Sequence, residues 1–206
     1  MAEAKKVLLI NTHLTYPNWT EGTLNNSLNQ KAKDFFEAKG FEVLETKIEN
    51  GYNADEEVEK HLQADIVILQ TPVNWFGTPW IYKKYVDEVF NSGLASKKFL
   101  TGDGRTREDA TKQYGTGGLM QGKKFMICAT FNAPAEAFDN PTQVLMQGKS
   151  TADLFLNISS NYKFCGYDIL TGYNCFDIYK NGDIANEIAN YPTHLAKAFH
   201  LSTQTP

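Results

Sequence analysis

The chain has 206 residues, with 20 Lys plus Arg against 24 Asp plus Glu and a formal net charge of −4. That balance excludes a nucleic-acid binder working through a broad basic field. A 42% hydrophobic and 21% charged composition excludes a disordered chain. The length predicts one domain spanning 1–206, with a core large enough to need neither disulfide nor metal.

The three cysteines, Cys128, Cys165 and Cys175, form an odd set without C-x-x-C spacing. A disulfide framework or cysteine zinc site is not expected, and a reduced cytoplasmic setting fits. After Lys5 and Lys6 only Val7–Ile10 are strongly apolar, too short a run for a signal peptide or a membrane helix, so no membrane insertion is expected.

In chain order, KVLLIN (6–11) reads as a strand buried on both faces. A polar loop over 13–22 follows, with Pro17 and Gly22 as breakers. Leu24, Leu28, Ala32, Phe35, Phe36 and Ala38 then recur at helical spacing, and Gly40 is placed to stop that helix. Residues 41–46 predict a second strand and 58–64 a short helix. DIVILQ (65–70) predicts a third strand, followed by a loop over 72–79. Ile81, Tyr85, Val86, Val89 and Phe90 mark the next helix. Residues 91–122 are glycine-rich and charged and predict an irregular excursion. FMICAT (125–130) predicts a fourth strand and 142–162 a mostly helical stretch. Residues 167–174 with 176–178 offer a fifth strand, 183–199 a closing helix, and about 201–206 a flexible tail.

This alternation predicts a flavodoxin-like, doubly wound α/β domain: a five-stranded parallel sheet of order 2-1-3-4-5 with helices on both faces. Ligands of such sheets sit at the carboxyl ends of the strands near the switch point. That selects three loops, 12–27, 71–80 and 130–138.

The first loop runs into a helix start carrying Thr20, Gly22, Thr23, Leu24, Asn25 and Ser27, with no Lys or Arg between Asn11 and Gln30. Free amides and the helix dipole there favour a phosphate, with the hydroxyls and Asn25 as further donors. Ordinary capping by Thr20 or Thr23 reads equally from the same residues. The second loop, TPVNWFGTPW (71–80), holds Pro72, Val73, Asn74, Trp75 and Phe76. Its rings offer a flat wall for a planar ligand and its amides face that ligand's polar edge; the competing reading is a hydrophobic plug over the sheet end. The third loop brings Thr130, Phe131, Asn132 and Ala133, whose donors suit an anionic ring edge, unless it is a plain strand-to-helix turn.

GGLMQGKK (117–124) nearly matches a P-loop, but Lys124 stands where Ser or Thr is required and the run precedes a strand. YGTGG (114–118) has no strand leading into it. His13, His61, His194 and His200 show no ligand pairing, so no metal site is expected. No G-x-S-x-G elbow occurs.

The segments TPVNWFGTPWIYKKYVDEVF (71–90), DGRTR (103–107), YGTGGLMQGKK (114–124) and NAPAEAF (132–138) resemble the modulator of drug activity B family, FAD-containing NAD(P)H:quinone oxidoreductases related to DT-diaphorase. The resemblance spans nearly the whole chain and is most specific over 65–138. It implies FAD diphosphate contacts at 20–27, isoalloxazine contacts at 73–76, pyrimidine-edge contacts at 130–133, and a further FAD contact at Tyr114, from the neighbouring subunit of a homodimer. Tyr114 is also placed as a quinone contact or proton source, with no other catalytic residue named. Asn74 stands where some relatives carry a second aromatic, and 11–22 differs from them. The implied reaction is a two-electron, ping-pong relay from NADPH or NADH through the flavin to a quinone or other flat acceptor. An FMN-dependent azo- or nitroreductase and a flavodoxin-type electron carrier are the alternatives. Arg105 and Arg107 read either as solvated charges or as partners of a coenzyme 2′-phosphate.

Overall fold

The computed structural model describes residues 5–180 and 183–201; the expected tail lies, beyond Leu201, outside the described residues. Six strands form one sheet: β1 (Lys6–Asn11), β2 (Glu42–Lys47), β3 (Ile66–Pro72), β4 (Lys124–Thr130), β5 (Asp168–Ile169) and β6 (Tyr173–Cys175). The order is β2-β1-β3-β4-β5, with β6 also on β4, and every pairing is parallel. The helices are α1 (Thr23–Glu37), α2 (Ala54–Gln63), α3 (Trp80–Ala95), α4 (Thr151–Leu154), α5 (Leu156–Cys165) and α6 (Ile184–Phe199).

The strands alternate as the pleat requires. Val7 and Leu9, Ile66 and Ile68, Met126 and Cys128 face one core with Leu28, Ala32 and Phe36 of α1 and Tyr191, Leu195 and Phe199 of α6. Leu8, Ile10, Val67, Leu69, Phe125 and Ile127 face the other, under α2, α3 and α5. Helix α1 stops as its glycine predicts: Gly40 is left-handed (φ 76°), and Phe41 N–H donates to Phe36 O at 3.0 Å.

Three expectations need correction. The fifth strand is two short pieces, β5 beside Lys124 and Phe125 and β6 beside Cys128, Ala129 and Thr130, and between them Gly172 lies so close to the Ile127 carbonyl that a side chain has no room. Residues 142–150 are turn, not helix: Gln147 (φ 48°) and Gly148 (φ 83°) are left-handed, and helix begins only at the Ser150–Asp153 capping box. The irregular excursion starts after Ala95, since α3 runs one turn further than the apolar stripe. Its arms then zip, with Leu119 N–H on Phe99 O at 2.8 Å and Thr101 N–H on Gly117 O at 3.1 Å.

One buried network was not foreseen. His61, fully buried on α2, reaches Tyr167 OH through Nδ1 (3.2 Å) and Tyr85 OH through Nε2 (3.1 Å). Tyr85 OH donates to Glu57 Oε2 at 2.8 Å, so the Tyr85 oxygen accepts the Nε2 proton and Nδ1 accepts from Tyr167. Thr46 and Lys60 complete the Glu57 carboxylate. Burial, with Lys123 and Lys60 nearby, lowers the His61 pKa to about 3.

A histidine neutral in the folded state and chargeable when unfolded contributes stability that is complete above pH about 6.5 and lost as pH falls toward 3. The expected loss is about 1.4 kcal/mol per pH unit for this proton. Urea unfolding of His61→Gln between pH 3.5 and 6.5 is expected to show a slope shallower by that amount; an unchanged slope contradicts the assignment.

Candidate functional site

The carboxyl ends of β1, β3 and β4 open into a cleft of about 940 Å³. Its floor is a set of buried polar ties. Thr12 Oγ1 donates to Thr71 Oγ1 at 2.7 Å. Gln70 Nε2 donates to Asn25 Oδ1 at 2.8 Å, and Asn25 Nδ2 donates to Thr130 Oγ1 at 3.2 Å. Val73 N–H donates to Thr130 O at 2.9 Å. These bonds lock the three loops together. Asn25 therefore spends its carbonyl and one amide proton inside the protein, leaving less to donate than its position in sequence suggests.

The start of α1 is bare. Gly22 is the N-cap in a left-handed conformation (φ 76°, ψ 18°), and no side chain caps it. Neither Thr20 nor Thr23 is a cap, so that reading falls: Thr20 Oγ1 pairs with His13 Nε2 at 3.1 Å, and Thr23 is exposed. Ser27 turns back, donating to Thr23 O at 2.9 Å, and does not line the cleft. Gly22 is required twice over, by its φ and because a Cβ there would lie 2.5 Å from His13 Nδ1. His13 is 1% exposed, and its Nδ1 has no partner among the described residues. Burial lowers its pKa against the opposing pull of Glu49, with Lys47 a smaller downward influence, so the ring is neutral. Sequence reading passed over His13; its place directly after a buried strand, ahead of the glycine, was the available signal.

The second loop is a two-residue hairpin. Asn74 N–H donates to Gly77 O (2.8 Å) and Gly77 N–H to Asn74 O (3.1 Å). The tip residues Trp75 (φ 48°) and Phe76 (φ 64°) are both left-handed, the geometry of a type I′ turn, which favours Asn-Gly. Such residues cost of order 1–3 kcal/mol each. Burial does not offset that cost, since Trp75 is 92% exposed, Phe76 50% and Trp80 63%. A plug over the sheet end would be buried, so the plug reading falls as well. Neither tip amide donates within the described chain.

In the third loop Asn132 is exposed and lines the cleft with Thr130. Phe131 is placed elsewhere: its ring lies in the core against Phe138, Phe155 and Phe176, its N–H donates to Cys175 O (2.8 Å) and its carbonyl accepts from Ile178 N–H (3.1 Å). Ala133 uses its carbonyl on Asp177 N–H (3.0 Å) and stands back from the cleft. Leu24, Pro72, Val73, Asn74 and Trp75 line it, while Phe76 is half-exposed and is not among the lining residues. Tyr114 is not brought to the cleft of its own chain; it is exposed on the excursion, packed on Phe164 at 5.1 Å.

The structure adds Tyr16, Trp19, Thr78 and Tyr179 to the lining. Tyr16 and Trp19 pack together at 5.4 Å across a tight turn closed by Thr20 N–H on Tyr16 O (3.0 Å). Two aromatics in an otherwise polar loop were the sequence signal for that rim. Among the described residues Glu21 is the one acidic lining residue, and the lining holds no Lys or Arg. Among the described residues no His, Cys, Asp and Glu cluster could hold a metal, and no helix is long and apolar enough to cross a membrane.

The profile of the flavodoxin-like fold family matches residues 5–197. The NADPH:quinone oxidoreductase MdaB of Haemophilus influenzae is 40% identical over 180 residues, 87% of this chain and 92% of that protein. An uncharacterized protein of Schizosaccharomyces pombe is 35% identical over 194 residues, 94% of this chain and 97% of its own length. Among solved structures, a Klebsiella pneumoniae protein assigned as a quinone reductase superposes with a TM-score of 0.76 at 22% identity, covering 97% of this chain and 86% of that one. General stress protein 14 of Treponema denticola, in complex with FMN, gives 0.63 at 17% identity, covering 96% of this chain and 99% of that one. At these identities the structures speak for the fold alone. The profile match and the MdaB identity place the chain in the flavodoxin-like fold family, among the modulator of drug activity B proteins.

Proposed function

We propose that this chain is a cytoplasmic, homodimeric NAD(P)H:quinone oxidoreductase that holds FAD in the rim cleft and reduces quinones or other flat acceptors with NADPH or NADH by a ping-pong cycle. The observation that carries the reading is the strained, exposed Trp75–Phe76 tip: two unused amides, with the Trp75 ring lining the cleft, at an energetic cost that internal packing does not offset. The name of the Haemophilus relative supports the acceptor class.

The residues present fit a flavin nucleotide. At one end, the uncapped start of α1, the Gly22 recess and the orphaned His13 Nδ1 suit a diphosphate without full charges. At the other, Trp75 and Phe76 suit the edge and face of a planar tricyclic ring. A bound flavin supplies the redox chemistry, accepting hydride from a nicotinamide and passing it to a quinone.

The chain's own part is binding and electrostatics. The amides of Thr23 and Leu24 and the dipole of α1 hold phosphate oxygens. The unused tip amides of Trp75 and Phe76 would donate to a bound ring. Asn132 would donate to the same ring and favour negative charge on it. Trp19, Trp75, Trp80 and Tyr179 wall the cleft and thin the water over the ring. The neutral His13 contributes one N–H and a fixed shape, not a mobile proton. Tyr114, remote from its own cleft, serves a second copy's cleft in the dimer.

Purified protein is expected to be yellow, with one FAD per chain by mass spectrometry of the released cofactor, to bleach with NADPH and to regain colour with menadione, no partner protein being added. A colourless preparation that stays empty in excess FAD contradicts the reading, and FMN as the released cofactor contradicts the FAD assignment. Gly22→Ala forces a Cβ onto the His13 ring and is expected to weaken FAD binding at least about tenfold by fluorescence quenching. Wild-type affinity would clear the α1 start of its role.

A further inference from the structure

The redox cleft cannot tell NADPH from NADH by charge. The two coenzymes differ by one 2′-phosphate on the adenosine ribose, and no Lys or Arg lines that cleft. The chain's 20 cationic side chains include only two arginines, Arg105 and Arg107, and both lie on the excursion. The excursion forms a second pocket, open to solvent, of about 760 Å³, lined entirely by polar residues and glycines.

This cavity is built. Its arms are zipped by Gly115 N–H on Asp103 O (2.7 Å) and Thr101 N–H on Gly117 O (3.1 Å). Gly117 lies so close to Gly102 O, and Gly104 to Thr116, that neither position has room for a side chain. Arg105 is held on two sides. Asp103 Oδ2 takes Nε (2.9 Å) and Nη2 (2.5 Å), and the Tyr114 ring lies 5.4 Å beneath the guanidinium. Nη1 has no partner among the described residues and remains to donate. Of the three acidic groups at 103–109, Asp103 is engaged by Arg105 and Asp109 by Thr111 N–H (3.0 Å) and Oγ1 (2.6 Å), while Glu108 is exposed and does not line the pocket. Lys112 and the hydroxyls of Thr101, Thr106, Thr111 and Thr116 line the same space. A pre-oriented guanidinium beside an ammonium and hydroxyls is the donor set a phosphate monoester requires.

We propose that this excursion pocket is the seat of the 2′-phosphoadenosine end of NADPH, with Arg105 and Lys112 determining coenzyme specificity. The inference rests on the oxidoreductase reading above, which left the choice between NADPH and NADH open. Tyr114 joins the two sites: it backs Arg105 here, and the reading above assigns it to the flavin of a second copy. The coenzyme thus runs from one copy's cleft to the other copy's excursion.

Calorimetric titration of the flavin-loaded full chain with adenosine 2′,5′-bisphosphate and, separately, with adenosine 5′-monophosphate tests this. The bisphosphate is expected to bind at least about tenfold tighter, the gap narrowing as salt rises. Arg105→Gln with Lys112→Gln is expected to abolish the gap, and Arg105→Lys to restore only part of it. Equal affinities in the wild type, or a gap that survives the double variant, overturn the proposal. Should Arg105→Gln disturb the excursion, the exposed Lys112→Gln variant takes its place, and an undiminished gap there overturns it. Menadione turnover on the same preparation separates the two claims. Turnover without a gap overturns this inference alone. A gap without turnover points to failure of the oxidoreductase reading.

Discussion

The hydrogen-bond chain Gln70–Asn25–Thr130, with Thr12 on Thr71 beside it, is the constraint on which the cleft depends. Gln70, Thr71, Thr130 and Thr12 lie at the carboxyl ends of three parallel strands, where the ladder runs out and the backbone must diverge, and Asn25 reaches them from the first turn of α1. Each is 5% exposed or less. A buried amide or hydroxyl left unpaired costs about 1–3 kcal/mol, so the three loops cannot drift apart independently. The amides at the start of α1, the hairpin after β3 and the Asn132 loop consequently face one another as a preset group.

With the rim fixed, the electrostatics follow from what it omits. No cation lines the cleft, so an anionic ligand meets helix dipole, backbone amides and a neutral imidazole. Dipoles held rigidly cost little reorganisation when charge develops. The left-handed pair Trp75 and Phe76 extends the same logic to the backbone: an unfavourable turn is maintained where it aims two amides outward. Among the described residues the cleft's one charged lining group is Glu21, and both arginines reside on the excursion.

How much of this was legible depended on whether the determinant was local. The runs at 6–11, 65–70 and 125–130 announced buried parallel strands because their composition alone excludes a solvent face, and Gly40 announced a helix stop because few other residues tolerate its φ. Loop positions followed from topology. What stayed hidden depended on distant partners. Gln70 and Thr71 look like ordinary strand residues until Asn25 and Thr12 are folded beside them. Gly172 has no room for a side chain only because the Ile127 carbonyl lies across from it. Phe131 was placed at the ligand, although three phenylalanines from other segments claim its ring for the core. Thr20 and Thr23 both suit an N-cap by type, yet the His13 ring fixes Gly22 there.

The central claim is that this rim is shaped by a flavin it does not itself contain in sequence, and a crystal structure of the flavin-loaded protein tests it most directly. The account predicts the diphosphate on the Thr23 and Leu24 amides beside His13, and the ring edge on the Trp75 and Phe76 amides with the hairpin unchanged. A ring bound elsewhere, or a hairpin that relaxes to right-handed backbone with its amides turned away from the cofactor, would contradict it.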